Sequence, residues 1–252
     1  MEFGRIIGLI SGIGAMLIAI ALEKGQYIAY ANLSAFIIIA GGSLGAVLLS
    51  VGTSEVKRIP SLLKIAISKD SVPDYDRIIE TLVELSTIIR KQGYLALESK
   101  LPSINDPFLK RGIELVIDGF NESSIIESLE YEILNLSRRH KNGIEIFNLL
   151  GGYAPTMGII GTVLGLVNML LHMGQLGSEG LGHAVAVAFI ATLYGIAFAN
   201  LIFLPVGTNL KGKSEREITY KRAITKVVIL LQTGSMNPRT FEDKIKSMMG
   251  VK

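Results

Sequence analysis

The stretch Gly151–Leu170, GGYAPTMGIIGTVLGLVNML, decides the fold. It holds no charged residue, and it is long enough to cross a bilayer, because about 20 residues at about 1.5 Å rise each span the hydrocarbon core. Yet it carries Pro155, Thr156, Thr162 and Asn168, together with a Gly161-x-x-x-Gly165 pair. Proline inside a helix removes a backbone donor and clashes with the carbonyl four residues back. Pro155 therefore frees the Gly151 carbonyl, which must face protein or water, since a free carbonyl in lipid costs several kcal/mol. The segment reads as a membrane helix packed inside a polar-seamed assembly.

The rest of the chain extends this reading. Its 252 residues are 49% hydrophobic and 19% charged, and the mean hydropathy is +0.46. Charged and apolar residues are segregated: uncharged runs occur at Ile6–Leu22, Leu33–Val51, Ile146–Leu171 and Ala184–Val206. These predict four transmembrane helices. Ala19-Ile20-Ala21 resembles a signal-peptide cleavage site, but Arg5 stands alone against Glu2 before the first run, which argues against one. Of the 25 Lys and Arg, 13 lie between Gly52 and Glu145 and 10 follow Val206. The positive-inside rule then places both termini and the 52–145 segment in the cytoplasm, with the connections near Glu23–Tyr30 and His172–His183 facing outward. The pI of about 9.0 is accounted for by this topology, with anionic lipid headgroups as the counterpart and no nucleic acid needed. The absence of cysteine fits a reducing or bacterial setting.

The 52–145 segment is helical by its periodicity. Asp74–Gln92 places Ile78, Leu82, Leu85 and Ile89 on one face and ends at Gly93. Asn105-Asp106-Pro107 is a cap followed by a first-turn proline, opening a helix with Phe108, Ile113, Val116, Ile117 and Phe120 as its apolar stripe. A third helix, from Ser123 to about Lys141, carries Ile126, Leu129, Ile133 and Leu136. A segment this size is small for an independent core, so it is expected to pack on extensions of the membrane helices. The basic tail reads as helices at Ser214–Leu231 and Pro238–Met249.

Enzyme chemistry finds no footing. Gly207-Thr-Asn-Leu-Lys-Gly212-Lys213-Ser214 matches a phosphate-binding loop letter for letter, but that loop needs a preceding strand and an α/β sheet. His172 and His183 flank the outer connection as interfacial surface residues, and no metal cluster or nucleophile–base set appears.

Within the membrane runs, Pro205 should free the Leu201 carbonyl as Pro155 frees that of Gly151. Each proline reads equally as an ordinary kink or as a hinge beside an ion path. Thr156, Thr162, Asn168, Thr192 and Asn200 supply neutral polar groups, and the pairs Gly41/Gly45, Gly161/Gly165 and Gly195/Ala199 permit close helix approach. Thr162 and Thr192 lie 30 residues apart on two spans joined by an outward hairpin, so they can face each other at a similar depth. Ion work in a membrane normally needs an acidic or basic side chain there, and the four runs contain no Asp, Glu, His, Lys or Arg. Either no ion is moved or another chain brings the carboxylate.

YAPTMGIIGTVLGLVNML, joined by a short loop to VAVAFIATLYGIAFANLIFLPV, resembles the paired third and fourth spans of the flagellar stator family, MotA and PomA; IIRKQGYLALESKL resembles that family's rotor-contact segment. The resemblance covers the whole chain. It implies an all-α, polytopic inner-membrane protein with four transmembrane helices: a first hairpin in 1–51, a helical cytoplasmic domain in 52–145, a second hairpin in 146–206 and a basic tail in 207–252. It also implies a homo-oligomeric ring, a pentamer, around two helices of a MotB/PomB-type single-span partner whose Asp binds the ion, and a contact with the rotor protein FliG. Pro155 and Pro205 correspond to the prolines tied to conformational coupling, and Arg90 and Glu98 to the charged rotor-contact pair. Thr162 and Thr192 would line the ion path. A threonine at the Thr162 position is similar to sodium-driven members, where proton-driven ones often have alanine, so sodium is favoured over protons as the translocated ion; no cofactor or metal is implied. The other readings are an ExbB/TolQ-type energiser, against which the fourth span and the Arg90/Glu98 segment argue, and a self-contained channel or membrane scaffold.

Overall fold

The computed structural model describes residues 3–22, 30–68, 75–234 and 236–250. Glu2, Lys24, Asp74 and most of the connection placed at Glu23–Tyr30 lie outside them. Among the described residues all regular structure is helical. The chain divides into two compact units, Met1–Lys69 with His140–Gly212, and Asp70–Arg139 with Lys213–Lys252.

The first unit contains α1 (Phe3–Leu22), α2 (Leu33–Val51), the short α3 (Thr53–Val56) and α4 (Ile59–Ile67). It also holds the second part of α7 (Glu122–Leu171), α8 (Ser178–Phe198), a π-helical turn (Ala199–Phe203) and the start of α9 (Leu204–Gln232). Among the described residues three stretches are long and apolar enough to cross a membrane: Leu33–Val51, one within Glu122–Leu171 and one within Gly180–Gln232. The 20-residue α1 is apolar as well. Asn32 caps α2 by accepting from the Ala35 N–H at 3.0 Å, and Gly52, at φ 81°, ends it in a conformation that favours glycine. One face of α2 is buried, through Ala35, Ile39, Ser43 and Val47. Ile39 packs with Ala154 and Ala199, and Val47 with Phe147 and Leu150.

The helix expected to stop near Lys141 does not stop. α7 runs unbroken for 50 residues, with Gly143 and Pro155 inside it. Nothing at Lys141 supplies a helix end. Gly143 keeps helical dihedrals, and a side-chain carbon added there would meet Leu62 Cδ2 at 2.9 Å, so its smallness serves packing rather than termination.

The second unit gathers α5 (Tyr75–Gln92), a 3-10 segment (Tyr94–Ser103), α6 (Pro107–Ile117), the opening turns of α7, the later turns of α9, and α10 (Pro238–Met249). Extensions of helices shared with the first unit do supply its core: Ile125, Leu129 and Ile133 from α7, and Tyr220, Ile224, Val227 and Leu231 from α9. The inward faces shift slightly from expectation. Ile79 is buried and Ile78 only partly so, Ile125 is buried and Ile126 exposed, and Leu136 is half-buried. Phe120 is exposed, because the left-handed Gly119 (φ 76°) turns the chain outward after α6. The Gly207–Ser214 segment is helical throughout, so no phosphate-cradling loop forms there.

Asp106 holds this unit's core together. One carboxylate oxygen accepts from the Phe108 and Leu109 N–H groups at 2.8 and 2.9 Å, capping α6. The other accepts the Tyr220 hydroxyl at 2.7 Å. Burial first, and then the bond to Asp106, push the Tyr220 phenol well above its ordinary 10.0. A raised folded-state value stabilises the fold below the unfolded-state value and is lost above it. The thermal midpoint of the purified protein should therefore fall as pH rises beyond about 10, and Tyr220→Phe should flatten that alkaline fall while lowering the midpoint at neutral pH by about 1 kcal/mol of stability.

Candidate functional site

α7 and α8 run antiparallel across the connection 172–177 and approach to backbone contact. A side-chain carbon added to Gly195 would lie 2.5 Å from the Ala154 carbonyl oxygen and 3.2 Å from the Gly158 Cα. One added to Gly158 would lie 2.9 Å from the Ala191 carbonyl oxygen. Further along α7, carbons on Gly161 and Gly165 would meet the methyls of Ala191 and Ala188, each at 2.8 Å. Gly161/Gly165 and Gly195 thus act as expected, but Gly158, unremarked in the sequence, also lies at the backbone contact, against Ala191, Thr192 and Gly195. Among the described residues, carbons added to Gly41 and Gly45 would meet nothing within 4 Å; it is Gly42 that receives a neighbour, the Met157 sulfur at 2.7 Å from its added carbon.

This proximity brings two hydroxyls together. Thr162 Oγ1 and Thr192 Oγ1 are 2.6 Å apart. Thr162 Oγ1 also lies 2.9 Å from the Ala188 carbonyl and 3.2 Å from that of Gly158, and Thr192 Oγ1 lies 3.4 Å from the Gly158 carbonyl. Two protons serve the set: Thr192 can donate to Thr162, and Thr162 to Ala188. The result is four neutral oxygens clustered between two half-buried side chains, with lone pairs left over. Thr156 and Asn200 instead bond back to carbonyls of their own helices, those of Tyr153 and Ile196, and Asn168 is exposed. Of these polar side chains among the described residues, only Thr162 and Thr192 link the two helices.

The two prolines flank this seam differently. Pro155 is half-buried inside α7, and Gly151, whose regular partner it removes, is buried with Leu204 against it. Pro205 follows the π-turn, in which the Leu204 N–H reaches five residues back to the Ala199 carbonyl. Leu201 loses its four-residue donor, as expected from Pro205. The π-turn adds a second loss: the Asn200 carbonyl has neither Leu204, which is engaged elsewhere, nor Pro205, which has no N–H. The sequence signalled the proline but not the turn that carries it.

In the second unit, Arg90 lies in the last turn of α5 and Glu98 in the 3-10 segment beyond the left-handed Gly93 (φ 82°). Both are exposed, and neither forms an ion pair among the described residues. His172 and His183 are exposed. No group of metal-ligating residues occurs among the described residues.

Residues 100–223 match the MotA/TolQ/ExbB proton channel family. The motility protein A of Borreliella burgdorferi is 37% identical over 249 residues, spanning 99% of this chain and 94% of that protein. The chain belongs to the motility protein A family. Its fold agrees with that of the C. jejuni MotAB structure, at a TM-score of 0.89 and 28% identity over 98% of this chain and 96% of the other. It agrees equally with the flagellar MotAB stator complex from Bacillus subtilis, at a TM-score of 0.87 and 32% identity over 95% and 92%. Membership of this family makes the chain a membrane channel-family subunit and not an enzyme.

The seam between α7 and α8 tolerates no extra carbon where backbones touch. Gly195→Ala should destabilise the protein by about 1–3 kcal/mol, whereas Gly45→Ala, with nothing within 4 Å, should be close to neutral. Thermal unfolding of the membrane-extracted variants, with their membrane levels, measures the contrast.

Proposed function

We propose that this chain is the ring-forming subunit of a bacterial flagellar stator. The observation that carries the reading is its end-to-end likeness to the Bacillus subtilis stator complex. In this proposal four spans cross the inner membrane with both termini in the cytoplasm. The chain then divides into hairpins in 1–51 and 146–206, a cytoplasmic domain in 52–145 and a tail in 207–252. Five copies surround two helices of a MotB/PomB-type subunit, which brings the carboxylate that the membrane runs lack. Ion flow turns or reshapes the ring, Pro155 and Pro205 absorb the backbone change, and Arg90 and Glu98 engage FliG on the rotor. Long-range charge complementarity suits such a contact, since it steers and registers a partner at little cost to folding.

The test is a deletion strain. It should keep its filaments but not swim, and restoring the gene should restore swimming. Restoring it with Arg90→Glu or Glu98→Lys should give normal membrane levels with reduced torque, rescued by an opposite charge change on the rotor. Loss of filaments, or full motility in a strain with no second stator set, would sink the stator reading; normal swimming by both reversals would sink only the contact.

Sodium is the proposed ion, and Thr162 and Thr192 its path. A sodium ion must replace the water it sheds with other oxygens; the hydroxyl pair, with the Gly158 and Ala188 carbonyls beside it, supports that role. A proton needs only the partner's carboxylate and a water wire. Single-motor speed should rise with external sodium at fixed pH and membrane potential, and Thr162→Ala should weaken that dependence. Speed independent of sodium but collapsed by a protonophore would assign protons and leave Thr162 a packing role.

A further inference from the structure

The last four carbonyls of a helix have no donor within it and must find one elsewhere. At the end of α9 three of them are served by the residues that follow. The Thr233 N–H donates to the Ile229 carbonyl at 3.3 Å, the Thr233 hydroxyl to that of Leu230 at 2.8 Å, and the Gly234 N–H to that of Leu231 at 3.1 Å. The fourth donor comes from 138 residues away: the Tyr94 hydroxyl donates to the Gln232 carbonyl at 2.6 Å. The Gln232 side chain in turn donates from Nε2 to the Phe120 carbonyl at 2.6 Å, between α6 and α7. Gly234 is fitted to this arrangement twice over. Its φ of 60° favours glycine, and a side-chain carbon there would lie 2.6 Å from the Tyr94 oxygen.

Tyr94 opens the segment that carries Glu98. It follows Gly93, which ends α5, so Arg90 stands before the glycine and Glu98 after it. The course of the chain between them sets the spacing of the two charges. Leu97 is buried in the core of the unit and fixes the middle of the segment. Lys100 pairs with Glu84 at 2.6 Å, but those side chains are 40% and 55% exposed, and such pairs contribute little. The start of the segment is held by the half-buried Tyr94.

We propose that Tyr94 is a positioning residue for the rotor-contact surface. Its bond to the end of α9 fixes the start of the segment, and with it the placing of Glu98 relative to Arg90. This rests on the stator reading above, in which those two charges engage the rotor. Charge complementarity sets the register of a contact, so a small displacement of one charge matters at the partner while folding barely registers it. Phenylalanine at this position keeps the ring in its packing and removes the bond alone.

Two measurements on Y94F test this. In the protein purified with its membrane partner, amide hydrogen exchange in the 3-10 segment should quicken about fivefold, as expected for one lost neutral hydrogen bond. Amides around Ile113 and Ile133, in the core of the same unit, should keep their wild-type rates. Unchanged exchange in the segment, or a rise throughout the unit, would overturn the tether. In cells, single-motor torque per stator should fall while the variant keeps its normal membrane level. In the E98K background Y94F should cost no further torque, because the charge that Tyr94 places is already gone. An equal fractional loss in both backgrounds, or wild-type torque in Y94F alone, would overturn the positioning role. Full swimming by the deletion strain, before any Tyr94 variant is introduced, would remove the stator reading itself and not the tether.

Discussion

Backbone contact between α7 and α8 at Gly158 and Gly195 is the constraint on which the candidate site depends. In lipid, apolar side chains gain little by leaving one solvent for another like it, so helices associate through close packing and a few polar bonds. Glycine at both positions removes the side chains that would hold the axes apart, and only then do two threonine hydroxyls reach 2.6 Å. The hydroxyl pair is a consequence of the seam and not its cause. Its bonds are individually small, while the steric condition that allows them is strict.

The same seam concentrates backbone carbonyls that lose their regular helical donors. A membrane interior gives a stranded carbonyl no water to turn to, so proline and π-turns survive only where protein or a hydrated cavity takes over. Here Gly151, Asn200 and Leu201 all lose regular donors within the first unit. They flank a pair of hydroxyls, and not one charged residue lies in the runs that carry them. Neutral oxygens in this density interact with a cation or with water without fixing a charge in the membrane, which suits the ion path proposed above.

Much of this was legible in the residues. Uncharged runs of membrane length, the Asp106-Pro107 cap, the facing of Thr162 and Thr192 and the small-residue pairing at Gly161/Gly165 all follow from local rules that the packing did not override. What was not legible depends on partners distant in sequence. Whether Gly41 or Gly42 meets a neighbour is settled by where Met157 falls, and whether Ile78 or Ile79 turns inward by the shared core of α5, α7 and α9. The missing end at Lys141 is a different kind of failure. A change of composition from charged to apolar looks like a boundary, but a helix reads only its backbone, and no residue there stops it.

The π-turn has a consequence best expressed as phase. Counted in residues, Ala199–Phe203 is an α-helical stretch with one residue too many. An ordinary helix advances about 100° per residue, so the extra residue rotates everything downstream relative to everything upstream. Upstream, Ala191 and Gly195 point at α7; downstream, Val206 and Leu210 pack in the cluster built around Val47 and Phe147. The insertion keeps both faces in register with their separate partners. Shortening the turn by one residue would restore a regular helix and, by the same step, turn one of those faces away from the surface it was built to meet.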